Sequence, residues 1–198
     1  RVRFSLTYGN TDGKIYHIRN LKEAFNMEIL KNNIEKICSF YVSDWHLVTM
    51  LLPYINKQIN EKANIITILE NDIEENIKTL IKRLNLKNEE KILNLNWKKT
   101  NGIKYSEIER KLKNLKKEQI LNVVFINGKK EYIDMTNKNV EKFLSENKNK
   151  YKNINIKIIN CFEVSEFNIN MQEILHNHDK ILNTSGEKEI NEVFEGYA

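Results

Sequence analysis

Five short runs rich in β-branched and aromatic residues, at 37–42, 65–69, 92–97, 120–126 and 154–161, begin at intervals of roughly 25 to 35 residues, the length of a strand–helix–strand unit. The stretches between them carry a different period. Val48, Leu51, Leu52, Ile55 and Ile59 share one helical face, and Ile73, Ile77, Leu80, Ile81 and Leu84 share another. Ile108, Leu112 and Leu115 repeat the pattern, as do Val140, Phe143 and Leu144, and a further short helix is expected over 169–176. Strand alternating with helix restricts the chain to the α/β class. The expectation is a mostly parallel sheet of five or more strands, with helices on both faces in three layers. The runs Ile65-Ile66-Thr67-Ile68-Leu69 and Val123-Val124-Phe125-Ile126 are continuously apolar, as a strand covered on both faces requires.

A chain of 198 residues suits one domain with an appendage. The domain is expected over 35–198. Residues 1–34 read differently: two extended stretches flank Gly9-Asn10-Thr11-Asp12-Gly13, a hairpin signal, and Asn20 followed by Glu23 opens a helix. No apolar run approaches the roughly 18 residues of a membrane helix. Arg1-Val2-Arg3-Phe4 is not followed by the apolar region of a secretory leader, and no Met opens the chain, as in a piece of a longer or processed protein. Cys38 and Cys161 both sit in apolar runs and read as buried thiols of a reducing compartment, so a cytoplasmic location is expected.

The net charge is +5, yet the cations are nearly all lysines interleaved with glutamates, as over 111–118. That is the pattern of a solvated face, and the arginine forks that favour phosphate and base recognition are scarce. Nucleic acid is therefore not an expected partner. The abundance of Lys, Asn and Ile matches the codon bias of an AT-rich genome. Pro53, the only proline, falls inside the first crossover helix, where a kink or a break at Leu52 is expected.

Most chemical motifs are absent. The six glycines form neither GxGxxG nor GxxxxGK[ST] after a strand, and Gly128-Lys129-Lys130 lacks the earlier glycine and the hydroxyl. There is no GxSxG elbow, no HExxH and no CxxC. No cofactor is implied. His176-Asn177-His178 stands at a helix end, where histidines favourably meet the macrodipole. Cys161, Glu163, His176 and His178 could converge on a metal, but nothing in their spacing demands it.

In open α/β sheets ligands bind beyond the carboxyl ends of the strands. Those ends carry Ser43-Asp44-Trp45-His46, Glu70-Asn71-Asp72, Trp97-Lys98-Lys99, Asn127-Gly128-Lys129 and Phe162-Glu163. Ser43 and Asp72 read as helix caps. Trp45, His46 and Trp97 suit a flat or apolar ligand if they meet at one rim, and otherwise the indoles seal the core.

The run from Glu35 through Tyr41-Val42-Ser43-Asp44-Trp45-His46-Leu47 to Leu51-Leu52-Pro53-Tyr54-Ile55, followed by the strand ending at Glu70, resembles the opening of MEDS domains, the sensory domains of methanogen and methylotroph regulators. Ile158-Ile159-Asn160-Cys161-Phe162 resembles their Cys-bearing strand, and Ile174-Leu175-His176-Asn177-His178-Asp179-Lys180-Ile181-Leu182 their closing helix. The resemblance spans about 35–183. It implies a RecA/KaiC-related core without the phosphate loop and a non-catalytic sensory role in bacterial or archaeal signalling or transcription control. It departs at Asp179, where the family has proline, and at Gly128-Lys129-Lys130-Glu131-Tyr132. Cys161 and His178 match recurring positions of the family. The expected ligand-binding residues are Tyr41, Trp45, His46, Glu70, Trp97, Cys161 and His178, with a small ligand or a regulatory protein as partner and a homodimer as a candidate assembly. Two other readings stay open: a partner-switch module acting through the N-terminal segment, and an enzyme using Asp44, His46, Glu70 or Cys161.

Overall fold

The computed structural model describes residues 34–119, 121–151, 153–164 and 167–194. The appendage expected over 1–34 lies outside them except for Ile34, which opens the first strand. The chain forms a six-stranded sheet with helices on both faces. In order, the elements are β1 (Ile34–Tyr41), α1 (Asp44–Asn60), β2 (Asn64–Leu69), α2 (Glu74–Leu84), α3 (Glu89–Leu93), α4 (Tyr105–Leu112) and β3 (Asn122–Gly128). They continue with α5 (Lys130–Glu146), α6 (Lys148–Tyr151), β4 (Ile156–Glu163), α7 (Phe167–His176), β5 (Lys180–Asn183), β6 (Gly186–Glu189) and α8 (Ile190–Val193).

The strands lie in the order β2-β3-β4-β1-β5-β6, and only the β5–β6 pair is antiparallel. Alternate residues face opposite layers. Ile37, Tyr41, Leu69, Val123, Phe125, Ile159 and Cys161 pack under α1, α2 and α3. Cys38, Ile66, Ile68, Val124, Ile126, Ile158 and Phe162 pack under α4, α5 and α7. All seven residues of β3 are buried, which is why its sequence reads as one continuous apolar run. Each large side chain in these two layers contributes about 1.5–3 kcal/mol by leaving water.

The expected kink does not divide the first crossover helix. α1 runs unbroken over 17 residues with Pro53 inside it. Pro53 is on the solvent side, where the carbonyl of Thr49 that it leaves unbonded can meet water.

Two expectations are corrected. The run 92–97 is not a strand: α3 ends at Leu93 and a turn carries the chain to Trp97. Asn96 Oδ1 accepts the Lys98 N–H at 3.2 Å, a local bond that competes with strand pairing. This segment instead covers the open edge of β2. The Thr67 hydroxyl donates to the Asn96 carbonyl, and Thr100 N–H donates to Leu69 O at 2.8 Å. Lys111 Nζ donates to Thr67 O at 2.6 Å. An edge so occupied cannot template another strand. The second correction concerns 174–182, which is not one closing helix. α7 stops at His176, and Lys180–Asn183 pairs in parallel with β1, Ile37 opposite Lys180 and Cys38 opposite Ile181. A reciprocal pair of bonds fixes the change of direction: Asp179 N–H donates to Lys36 O, and Lys36 N–H to Asp179 Oδ2, both at 2.7 Å.

Among the described residues, no helix is long and apolar enough to cross a membrane.

Candidate functional site

Topology selects one crevice. From β1 the chain crosses by α1, over one face, to the edge strand β2. From β4 it crosses by α7, over the opposite face, to β5 on the far side of β1. β1 and β4 are neighbours whose continuations part to opposite faces, the topology at which open α/β sheets place a ligand cleft beyond the carboxyl ends. Tyr41 stands opposite Glu163 there.

Only Val42 and Ser43 separate β1 from α1. Ser43 caps the helix, its hydroxyl accepting the His46 N–H at 3.3 Å. His46 returns the favour to the preceding turn, Nδ1 accepting from Val42 N–H at 3.3 Å. The imidazole does for this turn what the glutamate does in a capping box. The N-cap of α2 is Ile73 and not the expected Asp72, which stands one position earlier with Oδ1 accepting from Glu74 N–H at 3.1 Å.

Tyr41 is 3% exposed, and its hydroxyl is buried with no hydrogen-bond partner among the described residues. Burial, then the charge of Glu163, then Cys161 and Asp44, push its pKa up, so the phenol stays protonated. Asn71, beside the hydroxyl, opposes that rise, and its amide also donates to Glu163 Oε1 at 3.2 Å. Asp44 is partly buried, and its pKa is raised first by desolvation and then by Glu163. The cleft thus holds two carboxylates that feel each other, an amide and an unsatisfied phenol. Its surroundings are apolar and exposed: Val42 is 69% exposed, Trp45 51% and Val164 43%.

Glu70 belongs to an adjoining clamp. Its Oε2 accepts from Lys129 N–H at 2.7 Å, and its own N–H is shared between Asn127 O and Oδ1 at 3.0 and 3.1 Å. Gly128 makes the approach feasible. Its φ is +146°, and a Cβ there would lie 2.7 Å from Glu70 Cβ. The Asn127 Nδ2 beside this clamp is buried and unpartnered.

Of the seven site residues expected from sequence, Tyr41 ends β1 opposite Glu163, Trp45 is half exposed in the first turn of α1, His46 closes its capping turn and Glu70 is held in the clamp with Lys129. The other three lie elsewhere. Trp97 is 2% exposed, its indole N–H donating to Ile92 O at 2.7 Å, so it seals the layer under α1. Cys161 is buried in that same layer, and burial raises its thiol pKa, so no reactive thiolate forms. His178 lies on the opposite face of the sheet. It stacks edge-on against Phe162 at 5.8 Å, with Nε2 2.9 Å from Asn160 Nδ2 and Nδ1 2.5 Å from Ile174 O. Cys161 and His178 are therefore separated by the sheet. Asp44, Asn71 and Glu163 read in sequence as strand-end residues, Asp44 also as a candidate catalytic group and Glu163 as a candidate metal ligand; their convergence depends on which strands are neighbours.

Among the described residues, no three His, Cys, Asp or Glu side chains converge as a metal site. A hollow of about 360 Å³ opens at the other end of the sheet, lined by Ile59, Ala63, Ile65 and Leu95 with Lys62, Lys91 and Lys116, away from all of these residues.

No family model, curated protein or solved structure matches this chain.

Proposed function

We propose that this is a non-catalytic sensory domain, of the kind the MEDS resemblance implies, that takes up a small ligand in the β1/β4 cleft and passes the event to a signalling or transcription partner. The observation that carries the reading is the Tyr41 hydroxyl, buried and unpartnered at the switch point of the sheet. A buried polar group without a partner costs about 1–3 kcal/mol, and binding a group that hydrogen-bonds to it recovers that cost. The two-residue β1–α1 turn supports the non-catalytic part, because it is too short to cradle a phosphate chain. Three of the four candidates for catalysis are engaged: His46 in its turn, Glu70 with Lys129, and Cys161 as a buried thiol.

Trp45 provides the test. The chain has two tryptophans, and Trp97 is buried, so the solvent-sensitive part of the emission belongs to Trp45. Native mass spectrometry of the purified protein, with acrylamide quenching of that emission, should reveal a retained small molecule that shields Trp45 and is lost in Tyr41→Phe and Trp45→Ala. A clean unliganded mass, with Trp45 equally quenched in wild type and Tyr41→Phe, would sink this reading.

A further inference from the structure

The cleft is opposite in sign to the chain that carries it. The sequence has 32 Lys and Arg against 27 Asp and Glu. Six lysines pair with a carboxylate four residues away along the chain. Asp44 and Glu163 make no ion pair among the described residues; Glu163 receives only the Asn71 amide, and the charge that bears on Asp44 is that of Glu163. Two neighbouring carboxylates repel each other, and a cation placed between them relieves the repulsion.

The rest of the cleft says what kind of cation. A bare calcium ion needs six to eight oxygen ligands, and among the described residues no third carboxylate or imidazole joins these two. The rim has an indole, half exposed at Trp45, and two exposed valines, Val42 and Val164. Indole faces attract ammonium and guanidinium groups. The Tyr41 oxygen, close to Glu163, Asp44 and Asn71 and buried with no hydrogen-bond partner among the described residues, can accept an N–H.

We propose that the cleft recognises an organic cation, an ammonium or guanidinium group on an apolar stem, with Asp44 and Glu163 as its counter-charges, the Tyr41 hydroxyl as a further hydrogen-bond partner and Trp45 as a side wall. The proposal rests on the reading of this cleft as a ligand site. The cation is either that of a free small molecule or the side chain of a lysine or arginine in a partner protein.

Calorimetry and Trp45 fluorescence with defined probes separate the cases. At about 20 mM salt, where screening is weak, the wild type is titrated with putrescine, agmatine and tetramethylammonium. Butanediol and succinate serve as neutral and anionic counterparts, and acetyl-Gly-Lys-Gly-amide and its Arg analogue as side-chain mimics. At least one cation should bind, and butanediol and succinate should not. Affinity should fall about tenfold, or about 1.4 kcal/mol, in Glu163→Gln and again in Asp44→Asn, both checked for folding by circular dichroism. Binding of the peptides but not the free amines assigns the cation to a partner. Butanediol or succinate binding as well as the amines overturns the charge assignment while leaving the ligand site standing, as does cation binding unchanged in Glu163→Gln and Asp44→Asn. If no probe of any charge perturbs Trp45 or yields heat, the site reading and this proposal fall together.

Discussion

Acidification from pH 7 toward pH 4 should cost the domain stability through one side chain, His178. Its Nδ1 faces the Ile174 carbonyl, which can only accept, so that nitrogen carries the proton. Nε2 is left to accept from the Asn160 amide. Burial is the largest influence and lowers the pKa; the Ile174 bond raises it, Lys36 lowers it, and Asp179 and Asp134 raise it, with a net result of about 4 against an ordinary 6.5. Between those two values the unfolded chain holds a proton that the folded chain refuses. The stability conferred by the neutral ring is complete above pH 6.5 and is lost as pH falls through 4. The gap corresponds to about 3 kcal/mol in total, and to a slope approaching about 1.4 kcal/mol per pH unit within the window. That is a large part of a typical domain stability. Urea denaturation at intervals from pH 7 to pH 4.5 should show this slope in the wild type and a much shallower one in His178→Gln, which keeps a donor and an acceptor but cannot titrate. Carboxylates titrate in both proteins and cancel in the comparison. Parallel slopes in the two proteins, or an NMR titration of the His178 ring centred near pH 6.5, would refute the argument.

Three further outcomes are expected. Gly128→Ala should destabilise by about 2 kcal/mol, because the new Cβ meets Glu70 Cβ at 2.7 Å in a backbone conformation that L residues avoid; chemical denaturation reads it, and a change within about 0.5 kcal/mol would contradict the clamp. Lys111, buried with its pKa lowered to about 8 by desolvation and then by Arg110, carries a penalty below pH 8 that is relieved as pH rises toward 10.5. The stability of the wild type relative to Lys111→Met should therefore climb over that interval, and a flat difference would show that the amine is solvated. Cys38, its thiol pushed up to about 12 by burial, and Cys161 should react with a thiol reagent about a hundredfold or more slower in the native protein than in urea; rapid native labelling of either would show that the layer around it opens.

The parts of the fold legible in sequence are those whose burial is complete. β3 is buried along its whole length, so its apolar run admits one reading. The run 92–97 misleads because its two anchors, Ile92 and Trp97, are buried while Leu93 between them is exposed. An apolar cover over a strand edge has the same composition as a strand. β5 was hidden by a coincidence of period. Ile174 and Leu175 lie seven residues before Ile181 and Leu182, which is two helical turns, so the strand continued the phase of α7. Four residues are too few to announce their own alternation, and Ile181 and Leu182 do pack on opposite faces of the sheet. The site divides along similar lines. The strand-end rule named Trp45 and Glu70, because chain order gives the carboxyl ends directly, and it named Trp97 only because 92–97 reads as a strand. It could not separate Cys161 from His178, because that depends on strand parity and on the register of β5 against β1.

Charge poses the same problem of totals against positions. The net charge of +5 points toward polyanions, and it is a sum dominated by lysines whose fields are cancelled locally by glutamates a turn away. What a ligand meets is the remainder. At the ends of β1 and β4 the remainder is Asp44 and Glu163 beside a desolvated phenol. At the amino end it is Lys62, Lys91 and Lys116 around a hollow, with no ion pair among the described residues. An unpaired charge near low-dielectric walls attracts more strongly than a paired one in water. The sign of a preferred ligand therefore follows from where compensation fails, and in this chain it fails with opposite sign beside Glu163 and around that hollow.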